Sequence, residues 1–162
     1  MKEIKTADLC DRFSSTEHFQ IAEPMFQIFG GKRAFGGQIA TLKVFEDNVL
    51  VQETLKKPGN DKVLVIDGGG SHRCALLGDN LARRAMDNGW SGLVIYGCIR
   101  DSAAINQMPI GIRALHTHPL KSHKRGLGER DVLITFAGVN FRSGHFLYAD
   151  EDGIIVSQQS LI

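Results

Sequence analysis

VLVIDGGGSHRCALLGDNLARRAMDNGWSGLVIYGCIRD, Val63–Asp101, holds two short apolar runs with an amphipathic segment between them. The first, Lys62–Ile66 (KVLVI), is continuous and β-branched, as expected of a strand buried on both faces. Gly92–Ile99 is a second run of the same kind. Between them a helix starts near Asp79, carries Leu81, Ala82, Ala85 and Met86 on one face, and stops at Gly89. A strand, a turn, a helix and a strand in that order predict an α/β unit. The second strand then ends in Arg100-Asp101. Neighbours on a strand point to opposite faces, so this pair is badly placed to neutralise itself.

Outward from this unit, Thr6–Phe13 reads as a helix with Asp8 in its first turn, and Gln38–Phe45 as a strand. Asp47 caps a helix through Leu55, which Pro58-Gly59 ends. Ser102 caps a short helix that stops before Pro109, and Ile112–Leu115 is strand. Lys121–Asp131 is a polar, glycine-rich loop. Val132–Val139, Phe146–Ala149 and Ile154–Ser157 read as strands, with turns at Arg142-Ser143-Gly144 and Asp150–Gly153. Alternating elements followed by a mostly β final third predict one α/β domain over residues 1–162, with mixed sheets.

The 162 residues suffice for a core without disulfides or metal. Charge is nearly balanced, 19 basic against 18 acidic residues, and no basic stripe stands out. Direct nucleic-acid binding is therefore not expected. No apolar run approaches the ~18 residues of a membrane span. The start, MKEIKTADLC, lacks the apolar region of a signal peptide. Cys10, Cys74 and Cys98 follow no pairing pattern, and a reducing, cytoplasmic setting is expected. Glycine clusters at Gly30-Gly31, Gly36-Gly37, Gly68–Gly70 and Gly126–Gly128 suggest tight turns or close approach to a ligand.

Three places carry candidate chemistry. Gly68-Gly69-Gly70 after a strand resembles the start of a nucleotide or methyl-donor loop, but G-x-G-x-x-G spacing and the distal acid are missing, so a tight turn is the better reading. Gly78-Asp79-Asn80-Leu81 opens a helix, whose free N–H groups and dipole suit an anion; an ordinary N-cap is the plainer alternative. Arg100 offers a planar fork for a carboxylate or enolate, and Asp101 a hard oxygen for a divalent cation, although a structural ion pair with other partners fits them too. Together, Gly78 and Arg100-Asp101 can border one crevice of the kind that suits a small α-keto acid. His116, His118 and His123 read as loop residues rather than a zinc cluster, and Lys121, Lys124 and Arg125 as a solvated basic patch.

At these residues the chain resembles the family of the 4-hydroxy-4-methyl-2-oxoglutarate aldolases and the regulator of ribonuclease E activity A. The likeness includes FGGQIATLKVFEDN, VLVIDGGGS, LLGDNLA, GLVIYGCIRD, ALHTHPLKSHKRG and LYADEDGIIVS, and its specific part is a glycine, 21 residues, then Arg-Asp. The resemblance implies a swivelling β/β/α domain assembled as a ring-shaped trimer. It implies that the backbone of Gly78, Asp79, Asn80 and Leu81 holds a substrate carboxylate, that Arg100 contacts the keto oxygen, and that Asp101 binds Mg²⁺ or Mn²⁺. The implied activity is cleavage of 4-hydroxy-4-methyl-2-oxoglutarate to two pyruvates, with decarboxylation of oxaloacetate through a shared enolate. The alternative is a regulator that binds and inhibits ribonuclease E without catalysis. One departure stands out: family aldolases commonly carry an acid three positions after the aspartate, where this chain has Ala104.

Overall fold

The computed structural model describes residues 2–162. In chain order its elements are α1 (Thr6–Phe13), β1 (Gln20–Ile21), β2 (Gln27–Phe29), β3 (Phe35–Lys43), α2 (Val49–Leu55), β4 (Val63–Asp67), β5 (Ala75–Leu77) and α3 (Asp79–Asp87). There follow β6 (Gly92–Ile99), α4 (Ser102–Ile105), β7 (Gly111–Thr117), β8 (Glu129–Arg130), β9 (Ile134–Phe136), β10 (Val139–Phe141), β11 (Phe146–Ala149) and β12 (Ile154–Ser157).

The expected central strands are present and parallel: β3, β4, β6 and β7 pair in that order, with β2 antiparallel on the outer edge of β7. Alternation along them builds two cores. Leu64, Ile66, Leu93 and Ile95 face α2 and α3, where Leu50, Val51, Leu55, Ala82 and Ala85 cover them. Val63, Val65 and Val94 face the other way, onto Phe136, Val139, Phe141, Leu147 and Val156. Each fully buried aliphatic side chain stabilises the fold by about 1.5–3 kcal/mol, so both faces need a cover. The result is a β/β/α sandwich of layers, the mixed α/β domain the sequence predicts. Strand β3 serves both sheets. Its first half, Phe35–Gln38, pairs antiparallel with β11, and its second half, Ile39–Lys43, pairs parallel with β4. Gly37 lies where they meet, and a Cβ there would collide with the Asp61 carbonyl.

Several boundaries differ from the sequence reading. Val132–Val139 is not one strand: β9 and β10 form a hairpin whose turn is Ala137-Gly138, both with positive φ (52° and 70°). A two-residue turn of that shape usually advertises itself as Asn-Gly, and alanine conceals it. β7 runs on through His116 and Thr117, so His116 is a strand residue and not a loop residue. Phe45 falls outside β3, and Glu129–Arg130, inside the predicted loop, pairs with β3 as β8. Ser102 is the first residue of α4 rather than its cap; Asp101 holds the boundary position. No sequence pattern announces β1, β2 or β5.

β5 is the omission that matters, because it positions the site. β4 covers β6 only as far as Tyr96. The chain then turns through Gly68–Gly70 and comes back as β5 against Cys98 and Ile99, further along the same edge of β6. That return brings the end of β5 beside the end of β6, where the Arg100 N–H donates to the Leu77 carbonyl (2.9 Å). Helix α3 starts there.

Candidate active site

Gly78, Asp79, Asn80, Leu81, Arg100 and Asp101 line one cavity of about 250 Å³. The crevice inferred from sequence therefore forms. Its geometry is tighter than the spacing implies. Gly78 precedes α3 with ordinary extended dihedrals (φ −122°), so its glycine is not required for backbone freedom. It is required for space: a Cβ at Gly78 would lie 2.6 Å from Asp101 Oδ2 and 3.4 Å from Arg100 Cγ.

Asp101 occupies the left-handed region (φ 57°, ψ 37°), which aspartate tolerates better than most residues. This turn directs its carboxylate back to the α3 N-terminus, where the Asp79 N–H donates to Oδ2 (3.1 Å). One of the free amides of the helix is thus already filled. The N–H of Ala82 bonds back to the Gly78 carbonyl (3.0 Å), leaving the amides of Asn80 and Leu81 for an outside anion. Among the described residues the Arg100 side chain makes only a long contact with the Pro119 carbonyl (3.5 Å), so its guanidinium is free to turn onto a ligand.

Asp101 Oδ1 accepts no hydrogen bond among the described residues, and the carboxylate opens into a polar cavity. No cluster of three or more His, Cys, Asp or Glu side chains suited to a metal occurs among the described residues. One carboxylate with room for waters and a chelating substrate suits a hard cation such as Mg²⁺ or Mn²⁺. The residues therefore fit the cation that the resemblance implies.

Asn48, Gln52, Arg84, Lys121 and Lys124 complete the lining. The sequence pattern marks none of the first three, though Arg84 lies four residues after Asn80 on the helix it does mark. Lys121 and Lys124 belong to the loop read as a solvated patch; Arg125 of the same run lines a different hollow. A buried acid holds that loop in place. The Asp47 side chain (residue 2% exposed) accepts from the N–H groups of Val49 (3.1 Å), Arg125 (2.8 Å) and Leu127 (3.4 Å). Burial opposes its charge, but these amides outweigh burial and hold the carboxyl below its ordinary value. Asp47→Ala is expected to lower stability by about 2–4 kcal/mol in urea denaturation near neutral pH. Because the folded value is depressed, this contribution is complete above the unfolded carboxyl range near pH ~4. It is lost as pH falls through the folded value, so the gap between variant and wild type should close in acid.

The other candidates resolve differently. The Gly68–Gly70 turn is closely packed, with Phe45 against Gly69 and Tyr96 against Gly70, which accounts for its glycines without a nucleotide. His116 and His118 are engaged locally, each Nδ1 taking a backbone N–H, from Thr117 (2.9 Å) and Leu120 (3.1 Å). Ala104 is exposed on α4.

A parallel strand end, a helix N-terminus and an arginine–aspartate pair meet in one crevice of a layered α/β domain. Residues 6–156 match the Aldolase/RraA family model, and the chain belongs to that family. It is 64% identical over 160 residues (99% of both chains) to a Methylococcus capsulatus protein provisionally named 4-hydroxy-4-methyl-2-oxoglutarate aldolase. A Laribacter hongkongensis protein of the same provisional name is 59% identical, covering 97% of this chain and 98% of its own. Among solved structures, the RNA-processing inhibitor RraA from Thermus thermophilus superposes with a TM-score of 0.94 at 44% identity, covering 99% of this chain and 96% of its own. A Geobacillus kaustophilus structure described as an S-adenosylmethionine: 2-dimethylmenaquinone methyltransferase also superposes at 0.94, with 53% identity and coverage of 98% and 97%.

Proposed function

We propose that the protein is a divalent-metal-dependent carbon–carbon lyase that cleaves 4-hydroxy-4-methyl-2-oxoglutarate to two pyruvates and also decarboxylates oxaloacetate. The observation that carries this reading is the convergence of the α3 N-terminus, Arg100 and Asp101 on one cavity. The names of the relatives support the aldol cleavage.

The free amides of Asn80 and Leu81 hold the carboxylate next to the keto group, at the positive end of the helix dipole. Arg100 donates to the keto oxygen and gains strength as that oxygen becomes an enolate. Asp101 would hold the cation, which supplies electrophilic polarisation of the α-keto acid when bound. In the aldol substrate the C4 hydroxyl loses its proton and the C3–C4 bond breaks. C4 leaves within one pyruvate, and the electron pair remains as the enolate of the other, which a proton at C3 completes. Oxaloacetate reaches the same enolate by losing CO₂.

Gly78→Ala is expected to fold normally, since its dihedrals suit any residue, yet to displace the Asp101 carboxylate and cut turnover by about a hundredfold. A thermal melt beside a coupled pyruvate assay checks both halves. The function itself is tested with oxaloacetate and Mg²⁺ or Mn²⁺, following pyruvate with and without chelator. Metal-dependent pyruvate above the protein-free rate is expected; no excess would overturn the reading.

The proposal extends to a ring-shaped trimer in the cytoplasm, with light scattering as the check on mass. Likeness to a structure described as an RNA-processing inhibitor favours a second reading, in which the protein binds and restrains ribonuclease E. Co-purification with that nuclease by a protein without pyruvate-forming activity would select it.

A further inference from the structure

A second cavity, of about 530 Å³, lies on the β side of the sandwich and shares no residue with the candidate active site. His18, Gln20, Asn140, Arg142, His145 and Gln158 line it: one guanidinium, two imidazoles, three carboxamides and no carboxylate. Arg142 takes part in no ion pair among the described residues. Burial, with Arg142 and His18 beside it, holds the His145 imidazole below its ordinary value. Two acids stand near these groups. Glu17 reaches His18 at 3.5 Å, but from a side chain 87% exposed, where a pair is worth little. Asp131 accepts from the Ser143 hydroxyl (3.0 Å).

The donors are held in place before any ligand arrives. The Gln20 side chain brackets Asn140, donating from Nε2 to its carbonyl (3.0 Å) and accepting its N–H at Oε1 (2.9 Å). Asn140 Oδ1 accepts from the Thr135 hydroxyl (2.7 Å), which leaves Nδ2 as a donor. Arg142 and His145 are the two ends of one turn, closed by the His145 N–H on the Arg142 carbonyl (3.1 Å). Ile39 clamps that turn, donating to the His145 carbonyl (2.7 Å) and accepting from the Gly144 N–H (2.9 Å). A turn fixed in this way carries both cationic side chains to one place, so less freedom is lost on binding.

We propose that His18, Asn140, Arg142 and His145 bind the phosphoryl group of a small phosphate, free or esterified, at a site separate from the lyase cavity. Donors drawn from several segments suit a tetrahedral anion with three free oxygens better than a flat carboxylate. Imidazoles also titrate in the range of the second phosphate ionisation, near pH ~6, so ligand and site can share a proton. The volume is that of a small-molecule site, with room beyond the phosphoryl group for an organic body.

The test is titration calorimetry with inorganic phosphate and with glycerol 3-phosphate, no divalent cation being present. Arg142→Gln and His145→Gln are each expected to weaken binding by about tenfold, the effect of one charge-assisted contact, while melting and releasing pyruvate as wild type does. Arg100→Gln should bind both phosphates as wild type does. By NMR, the His145 titration midpoint should rise by about one pH unit on saturation, because a bound dianion favours the imidazolium. Tighter binding of the ester would identify an organic phosphate and equal binding the free anion; either upholds the site. Binding of neither would overturn the proposal. So would binding that survives Arg142→Gln and His145→Gln but is lost in Arg100→Gln, which would place the anion at the α3 N-terminus. Malonate bound as tightly as phosphate would overturn the phosphoryl assignment.

Discussion

Asp101→Ala is expected to abolish metal-dependent pyruvate release, a fall in turnover of about a thousandfold. The carboxylate is the proposed protein ligand of the cation, and no cluster of alternative ligands stands by among the described residues. The variant also loses the acceptor for the Asp79 N–H, but that amide lies at an exposed helix end where water can replace it. Asp101→Asn separates the two roles. Asparagine tolerates the left-handed backbone and can still accept from Asp79, yet it lacks the charge that holds a divalent cation. Both variants should melt close to wild type and both should fail in the coupled assay at fixed metal concentration. Full activity in either would remove Asp101 from the mechanism.

Arg100→Lys is expected to cost about a hundredfold, although it conserves charge. The main chain at Arg100 is tied to Leu77, while the guanidinium has, among the described residues, only its long contact with Pro119, so the side chain is placed but not spent. Lysine offers a point charge on a flexible stem and cannot present two parallel donors to a keto oxygen and its neighbouring carboxylate. The division between constants is informative. Equal falls in kcat and kcat/KM would locate the contact in the transition state, whereas a rise in KM alone would make Arg100 a ground-state anchor.

The legible parts of this fold are those whose signal is local. β6, β11 and β12 were bounded to the residue because each is a short apolar run closed by turn residues. α3 was legible from its apolar face and from Gly89, which follows it. β5 was not: three residues between a glycine turn and Gly78 have no periodicity, and only pairing with the far half of β6 makes them a strand. The site divides in the same way. Gly78 and Arg100-Asp101 announce themselves by residue type and spacing, but Asn48, Gln52 and Arg84 reach the cavity through the packing of α2 beside α3. The place of Lys124 in the cavity wall depends on the loop held by Asp47, whose long-range bonds to Arg125 and Leu127 no local pattern reveals.

The closure of α3 by Asp101 sets how the protein ages as a lineage. A structural zinc domain collapses when its ion is removed, because the ion is part of what holds it folded. Here the protein itself fills one amide of the helix end and water can reach the others, so chelator should silence pyruvate release while moving the melting temperature by no more than about 2 °C. Durability and chemistry are then inherited separately: a descendant that never again met its cation would still hand on an intact scaffold, available for selection to put to another use.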